Sequence, residues 1–88
     1  LVELLKKGIR VCDLGCGQGV ALILMAQHFP DSVFTGIDNH EKAIETARRK
    51  AQGLDNINFM VQDAALVEND DRFREKFDYI TAFEAIHD

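Results

Sequence analysis

Four short apolar stretches start near residues 9, 33, 57 and 79, and helix-like segments fill the gaps between them. This alternation constrains the fold more than any other feature of the chain. Two parallel strands can be joined only through a long crossover. Strand and helix alternating every 22 to 24 residues therefore predict βαβ units and a parallel sheet. The expected strands are Ile9–Asp13, Val33–Asp38, Ile57–Gln62 and Tyr79–Phe83. Leu1–Lys7 reads as the tail of an amphipathic helix that Gly8 stops. Val20–Phe29 reads as a helix ended by Pro30. It is apolar on nearly every side, so it must be covered on more than one. His40–Gln52 is amphipathic: Ile44, Ala47, Ala51 and Leu54 share a face, and Glu41, Glu45, Arg48 and Arg49 lie away from it. Glu45 precedes Arg49 by four residues, the favourable order for a helical ion pair. Residues 63–76 read as a polar connection with a short helix near Phe73, and Glu68-Asn69-Asp70-Asp71 as solvated loop.

Composition narrows the function classes. The chain has 88 residues, room for one small domain at most. Ten Lys and Arg stand against 15 Asp and Glu, a net charge of -5, which argues against a nonspecific grip on nucleic acid or anionic membrane. The longest apolar run, Val20–Ala26, is too short to cross a bilayer, and the N-terminal residues lack the order of a signal peptide. Cys12 and Cys16 have no second cysteine pair and no nearby His, so neither a disulfide scaffold nor a zinc site is expected, and no metal. Reduced thiols in the cytoplasm are the simplest reading. The chain opens inside a helix, stops just after a strand and has no initiating Met, and so reads as a fragment of a longer protein.

The chemistry starts at Asp13-Leu14-Gly15-Cys16-Gly17-Gln18-Gly19, a D-x-G-x-G-x-G turn between a buried strand and a helix. Glycines there permit positive φ and close approach of a ligand to the backbone. Open α/β sheets bind ligands at the carboxyl ends of their strands. Two other readings stand beside a ligand site: a tight turn with glycines for packing alone, and a dinucleotide site. The dinucleotide fingerprint requires glycine where this chain has Val20. Asp38 closes the second strand 23 residues after Gly15, where an acid accepts the ribose hydroxyls of an adenosine ligand. The plain structural alternative is that Asp38 caps the next helix, with Glu41 completing a capping box, and Asn39 competes for that cap.

Four segments now stand in a telling order: Val-Cys-Asp-Leu-Gly-Cys-Gly-Gln-Gly at 11–19, Gly-Ile-Asp-Asn at 36–39, Phe-Met-Val-Gln-Asp-Ala at 59–64 and Phe-Asp-Tyr-Ile-Thr-Ala-Phe at 77–83. Together they resemble the successive motifs of the class I S-adenosylmethionine-dependent methyltransferases, over nearly the whole chain. The resemblance implies a doubly wound, Rossmann-like α/β sheet with helices on both faces. Its strand order would be 3-2-1-4, with the cofactor, S-adenosylmethionine, at the switch between strands one and four. Residues 1–88 would be a single partial domain, the cofactor-binding half, with three more strands to follow. Asp13 and the backbone of Gly15 and Gly17 would face the methionine part of the cofactor. Cys16, in the turn beside the ligand, would be a small packing residue and not a nucleophile. Asp38 would hold the ribose. Asp63 would accept from the adenine amino group, and the Ala64 backbone would meet the ring edge, with Asn39 and Met60 flanking it. The alternative for Asp63 is a strand-end turn residue. This cofactor carries no phosphate, so carboxylates suit its ammonium group and diol where they would repel a pyrophosphate.

In such enzymes the segment after the fourth strand borders the transferred methyl. Here it reads Glu84-Ala85-Ile86-His87-Asp88. It has neither the Asn/Asp-Pro-Pro-aromatic motif of base amino-methyltransferases nor the Pro-Cys of cytosine-carbon enzymes. Both nucleic-acid readings weaken, and Ala-Ile-His-Asp resembles a subgroup of small-molecule-type methyltransferases, which implies a small-molecule methyl acceptor and not a nucleic acid. His87 is the candidate general base, since neutral imidazole suits pH 7. Its alternative is an exposed His, as for His28 and His40. Besides methyl transfer, a catalytically silent binding or scaffold module and, less well supported, a nicotinamide dehydrogenase stay open. At this length the buried share is modest, so the segment alone is expected to be marginally stable and without turnover.

Overall fold

A computed structural model describes residues 1–82 of the chain. Its elements are α1 (Val2–Lys7), β1 (Arg10–Leu14), α2 (Val20–His28), β2 (Val33–Asp38), α3 (Glu41–Lys50), β3 (Ile57–Val61), α4 (Ala64–Glu68), α5 (Asp71–Arg74) and β4 (Tyr79–Ala82). The four strands form one sheet of order β3-β2-β1-β4, and every neighbouring pair is parallel. This is the order and direction that the resemblance implies.

Helices cover both faces. On one, Leu5 of α1, Leu22, Ile23 and Ala26 of α2, and Ile44 and Ala47 of α3 bury against Val11, Phe34 and Phe59. On the other, Cys12, Leu14 and Ile37 form a smaller cluster under Ala64, Val67, Phe73 and Phe77. The period of two along β1 divides these residues: Val11 and Asp13 face the first cluster, Cys12 and Leu14 the second.

Three local differences from the sequence reading have physical causes. β1 runs on to Leu14, which pairs with both Ile37 and Ala82, and the chain turns only at Gly15, where φ becomes positive at 76°. The 63–76 connection holds two short helices rather than one, each started by an aspartate. Asp63 accepts the Ala65 N–H and Asp70 the Arg72 N–H. The expected cover over α2 is one-sided among the described residues: Leu22, Ile23 and Ala26 are buried, but Val20 and Leu24 are 56% and 53% exposed.

A buried polar joint fixes α2 against the sheet. The Asn56 side-chain amide donates to the carbonyls of Ala26, Phe29 and Ser32 at 2.9, 3.2 and 3.1 Å. The last carbonyls of a helix have no partner within it, so Asn56 serves as the C-terminal cap of α2 from a distant loop. Ser32 continues the joint, donating to Leu5 O at 2.6 Å and accepting the Ile9 N–H at 3.0 Å. Asn56→Ala leaves these buried carbonyls short of a donor. A loss of about 2 kcal/mol in chemical denaturation is expected, with an unchanged denaturant slope.

Candidate functional site

The carboxyl ends of β1, β2 and β3 meet under the loop from Gly15 to Gly19. Gly15, Gly17 and Gly19 have φ of 76°, 59° and 71°, a run of left-handed turns that side chains with a Cβ adopt only at a cost. Hydrogen bonds then lock the loop onto β2. The N–H groups of Gly15 and Cys16 both donate to Ile37 O, at 2.7 and 3.1 Å. The Gly17 N–H donates to Asp38 Oδ2 at 2.8 Å, and the Gly19 N–H to Cys16 O at 3.0 Å. The loop therefore does not hold these four N–H groups free as a phosphate cradle.

Asp38 is buried, and its two oxygens do different jobs. Oδ2 takes the Gly17 N–H, and Oδ1 accepts from His40 N at 2.9 Å, at the start of α3. Asp38 is not the cap of α3: the N-cap is His40, no side chain caps the helix, and neither the expected capping box with Glu41 nor a cap by Asn39 forms. The Asp38 carboxylate turns instead to the N–H groups of His40 and Gly17 and ties the glycine loop to the segment that leads into α3. A carboxylate offers about four lone-pair directions, so two remain for a ligand. Asp63 is similarly part-engaged: Oδ1 accepts the Ala65 N–H at 2.9 Å, leaving Oδ2.

Gly15, Asp38, Asn39, Asp63, Ala64 and Ala65 line one cleft of about 170 Å³. Five of these six are residues that the sequence reading named for one ligand. The volume falls below the roughly 300–1,000 Å³ of complete small-molecule pockets, so the cleft suits one part of a ligand. Larger hollows of about 550 and 360 Å³ lie beside α5 and β4. They share no residue with the strand-end cleft, and among the described residues they carry none of the predicted site residues. Met60 packs against the Leu14 and Ile37 cluster and does not line the cleft.

Asp13, Cys16 and Gly17 do not line that cleft, although the Gly17 N–H binds Asp38, which does. Sheet register places Phe59, Gly36, Asp13 and Thr81 in a single row across β3, β2, β1 and β4. Asp13 is only 4% exposed, and its Oδ1 accepts from the Thr81 hydroxyl at 2.8 Å. Burial raises the Asp13 carboxyl above its ordinary value. The Thr81 hydrogen bond opposes that rise, and the Asp38 charge adds to it. Burial, with Asp13 and Asp38 behind it, pushes the Cys16 thiol up to about 12. The thiol is neutral at pH 7, a poor nucleophile and a compact filler over Gly36. Among the described residues no three His, Cys, Asp or Glu side chains converge to hold a metal ion. His87 lies outside the described residues.

Two residues of the row escaped the sequence reading. Phe59 fills the space above Gly36 and below Gly19: a Cβ at either position would fall 2.6 Å from its ring. A lone glycine inside a buried strand marks a close approach, and Gly36 was that signal. Thr81 carries an aliphatic hydroxyl in a mostly apolar strand, and its partner becomes visible only once β1 and β4 are paired.

The sequence model of a family described as methyltransferase domain matches residues 5–88. The ubiquinone biosynthesis O-methyltransferase of Coxiella burnetii is 33% identical over 85 residues, 96% of this chain and 34% of that protein. The carboxy-S-adenosyl-L-methionine synthase of Campylobacter concisus is 38% identical over 64 residues, 72% of this chain and 27% of that protein. Among solved structures, PKMT2 from Rickettsia typhi in complex with AdoHcy superposes with a TM-score of 0.74 at 30% identity, covering 90% of this chain and 15% of that one. The chain thus spans about a third or less of the length of these relatives. The family match takes in all but the first four residues, and the chain belongs to the methyltransferase-domain family.

Proposed function

We propose that the protein containing this chain transfers a methyl group from S-adenosylmethionine to a small-molecule acceptor, and that residues 1–88 are the cofactor-binding half of its catalytic domain. One observation carries the reading. Asp38, Asn39, Asp63 and Ala64 line a single cleft beside a glycine loop whose N–H groups are engaged inside the protein. Such a site offers acceptors for a diol and an amino group and little for a phosphate. That chemistry fits S-adenosylmethionine and disfavours a nicotinamide dinucleotide. The structure of PKMT2 with AdoHcy supports the choice of ligand, and the O-methyltransferase relative supports a small-molecule acceptor.

S-adenosylmethionine, when bound, would supply a methyl group activated by its positively charged sulfur. The protein's part is alignment. Asp38 takes the ribose hydroxyls on its remaining lone pairs. Asp63 accepts from the adenine amino group through its second oxygen, and the Ala64 N–H, first in α4 and without a partner in that helix, meets the ring edge. Asp13 and the carbonyls of Gly15 and Gly17 take the ammonium end. Cys16 packs, uncharged, beneath the ligand. His87 is our candidate for removing the acceptor's proton. The two unpaired thiols fit a reducing compartment, and we place the protein in the cytoplasm.

Calorimetric titration of the whole protein with S-adenosylhomocysteine, and separately with NAD, tests this. S-adenosylhomocysteine is expected to bind and NAD to give no heat of binding. NAD binding alone would establish the dehydrogenase reading instead, and a folded protein that binds neither would be a scaffold.

A further inference from the structure

Asp13 differs from the other two carboxylates of the site. Asp38 and Asp63 are each held by backbone N–H groups. Among the described residues, the hydrogen-bond partner of Asp13 is one side chain, the hydroxyl of Thr81. We propose that Thr81 is a positioning residue of the cofactor site: its hydroxyl sets the orientation of the Asp13 carboxylate and leaves Oδ2 for the ammonium group of the cofactor. The inference rests on the cofactor reading given above.

The geometry supports it from both sides. Asp13 and Thr81 are register partners on adjacent strands, so their side chains leave the same face of the sheet together. On the opposite flank, the position next to Asp13 is Gly36, and the Phe59 ring and the Cys16 sulfur occupy the space over it. Neither group is a strong donor. The carboxylate is therefore steered from the β4 side alone.

The same hydroxyl lies 3.4 Å from Cys12 O, against 2.8 Å from Asp13 Oδ1. Thr81 donates to an ionised Asp13. When Asp13 gains a proton, the hydroxyl is free to turn to the Cys12 carbonyl and accept from Asp13. Orientation and protonation are thus linked. The groups acting on Asp13 are the Thr81 hydroxyl on β4 and the Asp38 carboxylate on β2; the Cys12 and Cys16 thiols of its own strand and loop are held neutral, partly by the Asp13 charge. Burial and Asp38 favour its neutral form, and Thr81 favours the charged one. Removing the donor moves the carboxyl further up, so ligand affinity falls at a higher pH as the solution is acidified.

The test is calorimetry on the whole protein with two probes, S-adenosylhomocysteine and 5′-methylthioadenosine, which lacks the amino-acid end. Thr81→Val is expected to weaken S-adenosylhomocysteine by about tenfold, the worth of one hydrogen bond to a charged group, and to leave 5′-methylthioadenosine within about twofold. Thr81→Ser restores the lost affinity. The acid limb of S-adenosylhomocysteine binding moves to higher pH in Thr81→Val and not in Thr81→Ser. In an Asp13→Asn background, Thr81→Val adds no further loss. Equal weakening of both probes makes Thr81 a purely structural residue and overturns the inference, as does an unchanged affinity for both. If the unsubstituted protein binds neither probe, the cofactor reading itself is wrong and the inference goes with it.

Discussion

Asp38→Ala is expected to weaken S-adenosylhomocysteine binding by roughly ten- to a hundredfold or more, the equivalent of losing one charge-assisted hydrogen bond or two. The substitution removes the acceptor for the ribose hydroxyls. It also releases the Gly17 and His40 N–H groups, which the same carboxylate holds at 2.8 and 2.9 Å. Gly17 is half-buried and His40 exposed, so water can take over part of what the carboxylate held, and the variant is less stable by about 1 kcal/mol. The two effects separate with Asp38→Asn. Its single amide oxygen can satisfy only one of the two N–H groups, and its NH₂ then faces the other donor. Asp38→Asn should therefore lose stability about as Asp38→Ala does, while keeping an acceptor for one hydroxyl and part of the affinity. Dissociation constants by calorimetry, read beside denaturation midpoints, decide the matter. An Asp38→Ala protein that is folded and binds with unchanged affinity would reduce Asp38 to a loop staple.

The double role of Asp38 shows how far the sequence could be read. Ribose acceptor and helix cap were competing readings of one residue. In the structure the side chain binds the His40 N–H ahead of α3, and it still has lone pairs over for a ligand. The cap reading fails, since the N-cap of α3 is His40, and what the sequence did not show is that the two oxygens of Asp38 turn to the Gly17 and His40 N–H groups. The sheet itself was legible, because a strand spacing of 22 to 24 residues admits few topologies. Of the two short helices, α5 was expected around Phe73, but its bounds were not legible, and α4 was not expected at all. The two have five and four residues, too few for a period to show, and their starts depend on the caps Asp63 and Asp70. Gly15 and Asp38 of the cleft were legible from the glycine turn and the acid that closes β2, whereas Asn39, Asp63 and Ala64 were implied by the resemblance to a known family and Ala65 was not foreseen. The row of Phe59, Gly36, Asp13 and Thr81 was not legible, because register is a property of paired strands and no single stretch of sequence contains it.

That row also yields the largest expected loss of stability. Gly19→Ala meets two separate penalties. The backbone at 19 has φ of 71°, which costs an alanine about 1–2 kcal/mol. The new Cβ would lie 2.6 Å from the Phe59 ring, and overpacking of a buried site costs about 1–3 kcal/mol more. Gly36→Ala meets the overlap alone, since its φ is not positive, but from two sides: 2.6 Å from the Phe59 ring and 2.8 Å from the Cys16 sulfur. Phe59→Leu separates these terms. Added to Gly36→Ala it should recover most of the loss, and Cys16→Ala the remainder. Added to Gly19→Ala it should recover only the steric share and leave the conformational cost in place. The measurements are denaturation midpoints for the single and double variants, taken as a cycle with Phe59→Leu alone as the reference. Because Phe59 underlies the loop through both glycines, Gly19→Ala should also weaken S-adenosylhomocysteine binding, even where the variant is fully folded. Additive losses between Phe59→Leu and Gly36→Ala would mean that the ring does not set the loop's height, and that β2 carries its glycine for some other reason.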